Sequence, residues 1–272
     1  MNNILYPDQG NPLEDASILR NAVYFSTAQR AYSAQLILQQ PLNVNQLTLD
    51  FLVIRAFEEF MTSTEDLIGW LFALQEWQPG NAEFSLFILL DRIKVGKKDK
   101  KNDYTEERAV SLLSNIDIEG FRELFHIPKD GELIASGISK ELVDNIKRSM
   151  PRKLEGWLNI ARRRAEQGRG WVRIFNKFKH HMLAFPTRER HKDEIWMPTS
   201  INLNKEHNYV KLGRGWLESS TNELRRLAGD AIGAQAVLHD TLAMILKTRY
   251  NEEYVLPQWV IRAYQTDYIW QK

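Results

Sequence analysis

The chain has 272 residues, 43% of them hydrophobic and 26% charged, which is enough apolar content for a sizeable core and argues against global disorder. It contains no cysteine, which excludes disulfides, thiolate metal sites and cysteine nucleophiles. The net charge of +1 hides a local imbalance: residues 147–192 carry 14 Lys and Arg against 3 Asp and Glu, whereas residues 1–80 carry 3 against 9.

Asn11-Pro12-Leu13-Glu14 reads as a helix start, with Asn11 as the cap, Pro12 at the first helical position and Glu14 as the capping-box acid. This helix is predicted to run to about Gln40 and stop at Pro41. A second long helix is expected over residues 46–77, with Val53, Phe57, Phe60, Leu67 and Leu71 on its apolar face. The short connection makes the two an antiparallel pair. Asn81 is expected to cap a third, almost wholly apolar helix over residues 83–95, central in the core. The GKKDKKND run at 96–103 reads as an exposed charged loop and the candidate linker. Helices are predicted over residues 105–115 and 118–125, an irregular stretch over 128–137, and a short helix over 139–149. Pro151 is read as opening the next helix, which runs to Gln167.

Gly168 and Gly170 separate that helix from a two-faced one over residues 171–183, which Pro186 ends. Alternating Ile195, Met197, Ile201, Leu203, Tyr209 and Val210 predict a small hairpin within 194–212, turning around Asn204-Lys205-Glu206. A last long helix is expected over residues 216–250, with Leu224, Leu227, Ala231, Leu238 and Leu242 as its core stripe. Its Gly229 and Gly233 would admit another helix close by. Pro257 is read as opening a terminal helix rich in aromatics. GRGW occurs at residues 168–171 and 213–216, each time ahead of a predicted helix, and reads as a helix-opening device. The expected fold class is therefore all-α: one domain over residues 1–272, an irregular multi-helix bundle with a small β-hairpin insertion near 194–212. The absence of a basic-then-apolar leader pattern and of any apolar run near membrane length predicts a cytoplasmic protein with no membrane contact.

Within residues 171–183, at about 100° per residue, Trp171, Phe175, Phe178 and Met182 form one apolar stripe. Arg173, Asn176, Lys177 and His180 fall on the opposite side. An arginine can hold a phosphate and stabilise developing negative charge, and a histidine near neutral pKa can move a proton to or from a ribose hydroxyl. Here the segment resembles the HEPN superfamily of helical-bundle proteins, whose nucleases carry an Arg-x4–6-His motif at the end of a bundle helix. The resemblance covers residues 171–183 and the following long helix. It implies metal-free RNA cleavage by Arg173 and His180, with Asn176 alongside, when two copies meet across a dimer. His181, at the edge of the same face, could substitute for His180.

The surrounding block of Arg162, Arg163, Arg164, Arg169, Lys177 and Lys179 reads as a surface for RNA or another polyanion, gripping phosphates without reading sequence. A reading from a different class uses the same residues without chemistry. In a non-enzymatic interaction protein they pair with an acidic partner, or with the chain's own acidic helices in a homodimer. Pairing of these arginines with Glu58, Glu59 or Glu65 would mark that case. A third reading takes Glu58, Glu59 and Asp66, beside Arg55 and Thr62, as Mg²⁺ ligands of an all-α nucleotide hydrolase. Outside that reading no cofactor is expected, because His180, His181, His191, His207 and His239 lack metal-ligand spacing. His239 lies at the edge of an apolar stripe and reads as a core histidine. Phosphate-loop, dinucleotide-fold and nucleophile-elbow motifs are all missing from the sequence.

Overall fold

Helices dominate the chain, as the apolar periodicity predicts. The computed structural model describes residues 15–41, 43–95, 104–167, 171–172, 174–175, 194–204 and 209–252. The expected cap at Asn11, the charged loop at 96–103 and the terminal helix after Pro257 lie outside the described residues.

Three consecutive segments, α1 (Asp15–Asn21), a π turn (Ala22–Ser26) and α2 (Thr27–Leu38), form the first helical stretch. The π turn was not legible from composition. The Thr27 hydroxyl donates back to the carbonyls of Ala22 and Val23 at 3.1 and 3.3 Å, closing that turn. α3 (Gln46–Glu76) starts where expected, because the Asn45 side chain accepts from the Thr48 N–H at 3.0 Å. A carboxylate ties the two together at one end. Asp15 accepts from Trp77 Nε1 at 2.8 Å and from the Leu86 N–H at 2.9 Å, fixing the start of α1 to the end of α3 and the start of α4 (Leu86–Arg92).

α4 corrects the expected central apolar helix over residues 83–95. It has 7 residues, follows a short 3-10 turn, and leaves Phe87 and Ile88 exposed. An apolar run predicts helix but not burial: Leu86 and Leu89 of this helix are buried and Leu90 packs against the core half-buried. α5 (Glu106–Ser114) and α6 (Ile118–Leu124) stand where predicted, opened by Thr105 and Asp117, whose side chains accept from backbone N–H groups three residues on. The stretch predicted to be irregular contains a short helix, α7 (Asp130–Ala135).

Pro151 does not open a helix. It sits inside α8 (Lys140–Glu166), a single 27-residue helix capped by Ser139. Proline removes one backbone donor and frees the carbonyl of residue 147. Both Pro151 and Lys147 are exposed, so water can serve that carbonyl and the helix continues. The hairpin is longer than predicted. β1 (Glu194–Asn204) pairs antiparallel with β2 (Tyr209–Glu218), with a bulge between Pro198 and Ser200. The second GRGW is therefore strand, and Trp216 pairs in register with Trp196 rather than opening a helix. α9 (Thr221–Tyr250) begins five residues later, capped by Ser220, and ends at Asn251 in the left-handed conformation.

The buried side chains form two apolar clusters. One joins Leu67–Trp77 of α3 to α4, α5, α6, α8 and Ala234–Leu246 of α9. The other joins α2, the Val53–Met61 part of α3, Ile174, Phe175, Ile195, Leu217 and Leu224–Ile232 of α9. α3 and α9 pass through both. Between the clusters α3 carries the polar run Thr62-Ser63-Thr64-Glu65-Asp66, and α9 carries the buried Asp230 within its part of the second cluster.

α8 lies close against α9. A Cβ on Gly156 would stand 2.9 Å from Val237 Cγ2, whereas one on Gly233 would meet Ile160 Cδ1 at 3.8 Å. Valine is stiff about χ1 and cannot swing clear. Gly156→Ala is expected to lose about 1–2 kcal/mol to overpacking, while Gly233→Ala gains up to about 1 kcal/mol from helix propensity. Urea unfolding of the two variants checks the contrast, and equal effects would remove the close-approach account.

Candidate functional site

The C-terminal part of α8 carries three of the predicted phosphate-binding arginines, and the fold sends them in three directions. Arg162 is exposed. Arg163 forms an ion pair with Asp230 of α9, whose side chain is only 5% exposed. Arg164 is itself inside: its side chain is 3% exposed and its Nη2 lies 3.1 Å from Glu106 Oε1 of α5. Burial pulls the Arg164 guanidinium down from its usual value, and the charges of Glu106, Glu65 and Glu107 work against that. Arg164 thus departs from the expected basic surface. A helix with α5 on one side and α9 on the other must turn some of its side chains inward, and here the inward positions include a cation. Further along α8, Lys153 reaches Asp240 at 3.5 Å and Lys147 reaches Asp130 at 3.7 Å.

Asp230 receives a second guanidinium. Arg226 Nη1 lies 3.5 Å from its Oδ2 and is also held by Glu223 at 2.6 Å. The same Arg226 stands 5.8 Å over the ring of Trp171, which packs edge-on against Phe57 at 5.0 Å and Phe60 at 6.3 Å. Residues 171–172 and 174–175 are helical, and Ile174 and Phe175 are buried. The predicted apolar anchor of that segment is therefore real at Trp171 and Phe175. Arg169, Arg173, Asn176, Lys177, Lys179, His180 and His181 lie outside the described residues.

The carboxylates read as Mg²⁺ ligands are distributed over separate ion pairs. Arg55 bridges Glu58 and Glu59, and Arg30 holds Asp66 at 2.5 Å. Burial pushes the Glu59 carboxyl above its usual range, against the pull of Arg55 and Arg30. Among the described residues no group of three or more His, Asp or Glu is placed to hold a metal ion. His239 is buried as expected of a core histidine, with Nδ1 3.6 Å from Asp240.

A feature the sequence did not disclose is a cleft of about 550 Å³ where α6 and α7 meet the end of α9. Arg122, His126, Lys129 and Arg249 line it, beside Glu119, Glu123 and Glu132. His126 has φ +53°, which aims its ring at α3. Its Nε2 lies 2.8 Å from the Leu74 carbonyl, and Arg249 donates to the His126 carbonyl at 2.8 Å. Burial lowers the His126 pKa, the Leu74 carbonyl opposes this, and the Arg249 charge lowers it further. The net lowering favours the neutral ring, whose Nε2 would carry the proton to donate to the carbonyl. Arg122, 6% exposed, is bound to Asp130, whose carboxyl it holds below the usual range. The cleft therefore balances its own charges and presents no concentrated anion site.

Comparisons with protein families, curated proteins and solved structures find no match for the chain. What fold and site define is a mostly helical protein with two apolar clusters that share α3 and α9, and with ion pairs from α8 to α5 and to α9. No helix among the described residues is long and apolar enough to cross a membrane.

Proposed function

We propose that this chain is a non-enzymatic helical interaction protein, part of whose basic segment pairs with the chain's own carboxylates. The observation that carries this reading is the pairing of Arg163 with Asp230 and of Arg164 with Glu106. Arg164, buried against Glu106, is out of reach of a phosphate, and Arg163, 52% exposed, has its charge balanced by the buried Asp230. The partners are Glu106 and Asp230 instead of the Glu58, Glu59 and Glu65 expected from charge distribution, although Glu65 contributes to the field at Arg164.

A second reading rests on the outward arginines of α8. Arg148, Arg152 and Arg162 are exposed, and they could contact an RNA backbone. In that reading Arg173 and His180, with Asn176, cleave RNA as the HEPN resemblance implies. The two readings separate in one experiment. RNA binding is measured across a salt series for the wild type and for Arg148→Glu/Arg162→Glu, which spares the buried pairs. The interaction reading expects no salt-sensitive binding from either protein. A steep salt slope in the wild type that the variant loses would overturn it, and Arg173→Ala and His180→Ala would then be scored for cleavage.

A further inference from the structure

The first helical pair presents an apolar face to the outside. Phe25, in the π turn, is 61% exposed, and Tyr32 and Leu36 of α2 are 45% and 41% exposed. Phe25, Gln29, Tyr32 and Leu36 follow spacings of four, three and four, so they lie along one line of the helix. On α3, which packs beside α2, Leu47 and Phe51 are 60% and 56% exposed and one turn apart. Leu36 stands near the end of α2 and Leu47 near the start of α3, on either side of the chain reversal.

We propose that this face docks a second copy of the chain, forming a two-fold homodimer. The proposal rests on the interaction reading and names its partner. Charge argues for self-association. From Asn21 to Leu49 the sequence holds a single charged residue, Arg30, and that one is bound to Asp66 at 2.5 Å. A two-fold axis brings each patch against its own image, so any charge at its centre meets like charge, and a neutral patch is self-complementary. A lipid surface would need Lys and Arg turned toward it beside the apolar stripe, and the cations around it, Arg20, Arg30 and Arg55, are held by Glu252 at 2.7 Å, Asp66 at 2.5 Å and Glu58.

The area also fits. Aromatic side chains bury about 150–250 Å² each, so the exposed parts of Phe25, Tyr32 and Phe51 amount to roughly 300 Å², before Leu36 and Leu47 are added. A stable interface buries about 800 Å² per partner, of which about 60% is apolar, or on the order of 500 Å². The five side chains supply most of that. Gln29, midway along the line, is the polar residue that would fix register across the axis.

The test is the solution mass of the full-length protein by sedimentation equilibrium over a concentration series. The wild type is expected at twice the chain mass. Phe25→Glu/Phe51→Glu places four carboxylates at the axis and is expected to weaken the dimer by at least about 100-fold. Both side chains are exposed, so helical circular dichroism should be unchanged. Because the chain has no cysteine, Gln29→Cys gives a single thiol. A short bifunctional thiol reagent should link it to its copy, and the double-Glu background should abolish that link. The proposal is overturned by a wild type that stays at the single chain mass, by a dimer indifferent to the double-Glu change, or by a monomer that sediments with neutral phosphatidylcholine vesicles through Phe25. None of these outcomes depends on RNA binding, so failure here and failure of the interaction reading are separately visible.

Discussion

Arg164→Met is expected to lower the free energy of unfolding by about 3–5 kcal/mol. The methionine fills most of the arginine's volume, so the loss comes from charge and not from a cavity. It leaves Glu106, with its side chain 10% exposed, facing Glu65 and Glu107 without the cation between them. An uncompensated buried carboxylate is far more costly than a missing pair, because the pair's own attraction only offsets the desolvation of both ions. The double variant Arg164→Met/Glu106→Leu should therefore recover most of the loss. Urea unfolding of the wild type, both single variants and the double variant forms a closed cycle. If Arg164→Met unfolds within about 0.5 kcal/mol of the wild type, as surface substitutions usually do, the Arg164–Glu106 pair is not structural.

Trp157→Ala is expected to cost a comparable amount, about 3–5 kcal/mol. Trp157 is completely enclosed. Its ring lies 4.9 Å from that of Phe125, and its Nε1–H donates to Thr241 Oγ1 at 2.9 Å. Thr241 passes the chain on by donating to the Val237 carbonyl at 2.9 Å. The residue thus joins α8 to α6 by packing and to α9 by a hydrogen bond. Trp157→Phe keeps most of the packing and drops the donor, so its cost should be about 1–2 kcal/mol. Equal losses for the two variants in a denaturant series would show that the hydrogen bond, not ring volume, dominates.

Apolar periodicity made much of the helical layout readable in advance. Thr105, Asp117, Ser139 and Ser220 each begin a helix through a local hydrogen bond, yet the expected start of the last helix at residue 216 falls short of its cap at Ser220, because residues 209–218 are strand. Pro151 misled because its effect depends on exposure, and exposure is set by α5 and α9, which are distant in sequence. The short α4 misled for the same reason. The candidate site was legible as charge but not as partnership. Three adjacent arginines look alike in sequence, while a 100° step per residue sends one to water, one to Asp230 and one to Glu106. His126 carried no signal, since its surroundings come from Leu74, Arg249 and its own positive φ.

The way α9 closes the molecule bears on its biosynthesis. α2 and α3 lay their buried faces on α9, the last helix described, and Arg20 near the start of the chain pairs with Glu252 after its end. On the ribosome the first helical pair emerges long before the surface that will cover it. Until the Leu224–Ile232 part of α9 has left the exit tunnel, Phe57, Phe60 and Met61 have no native cover from it.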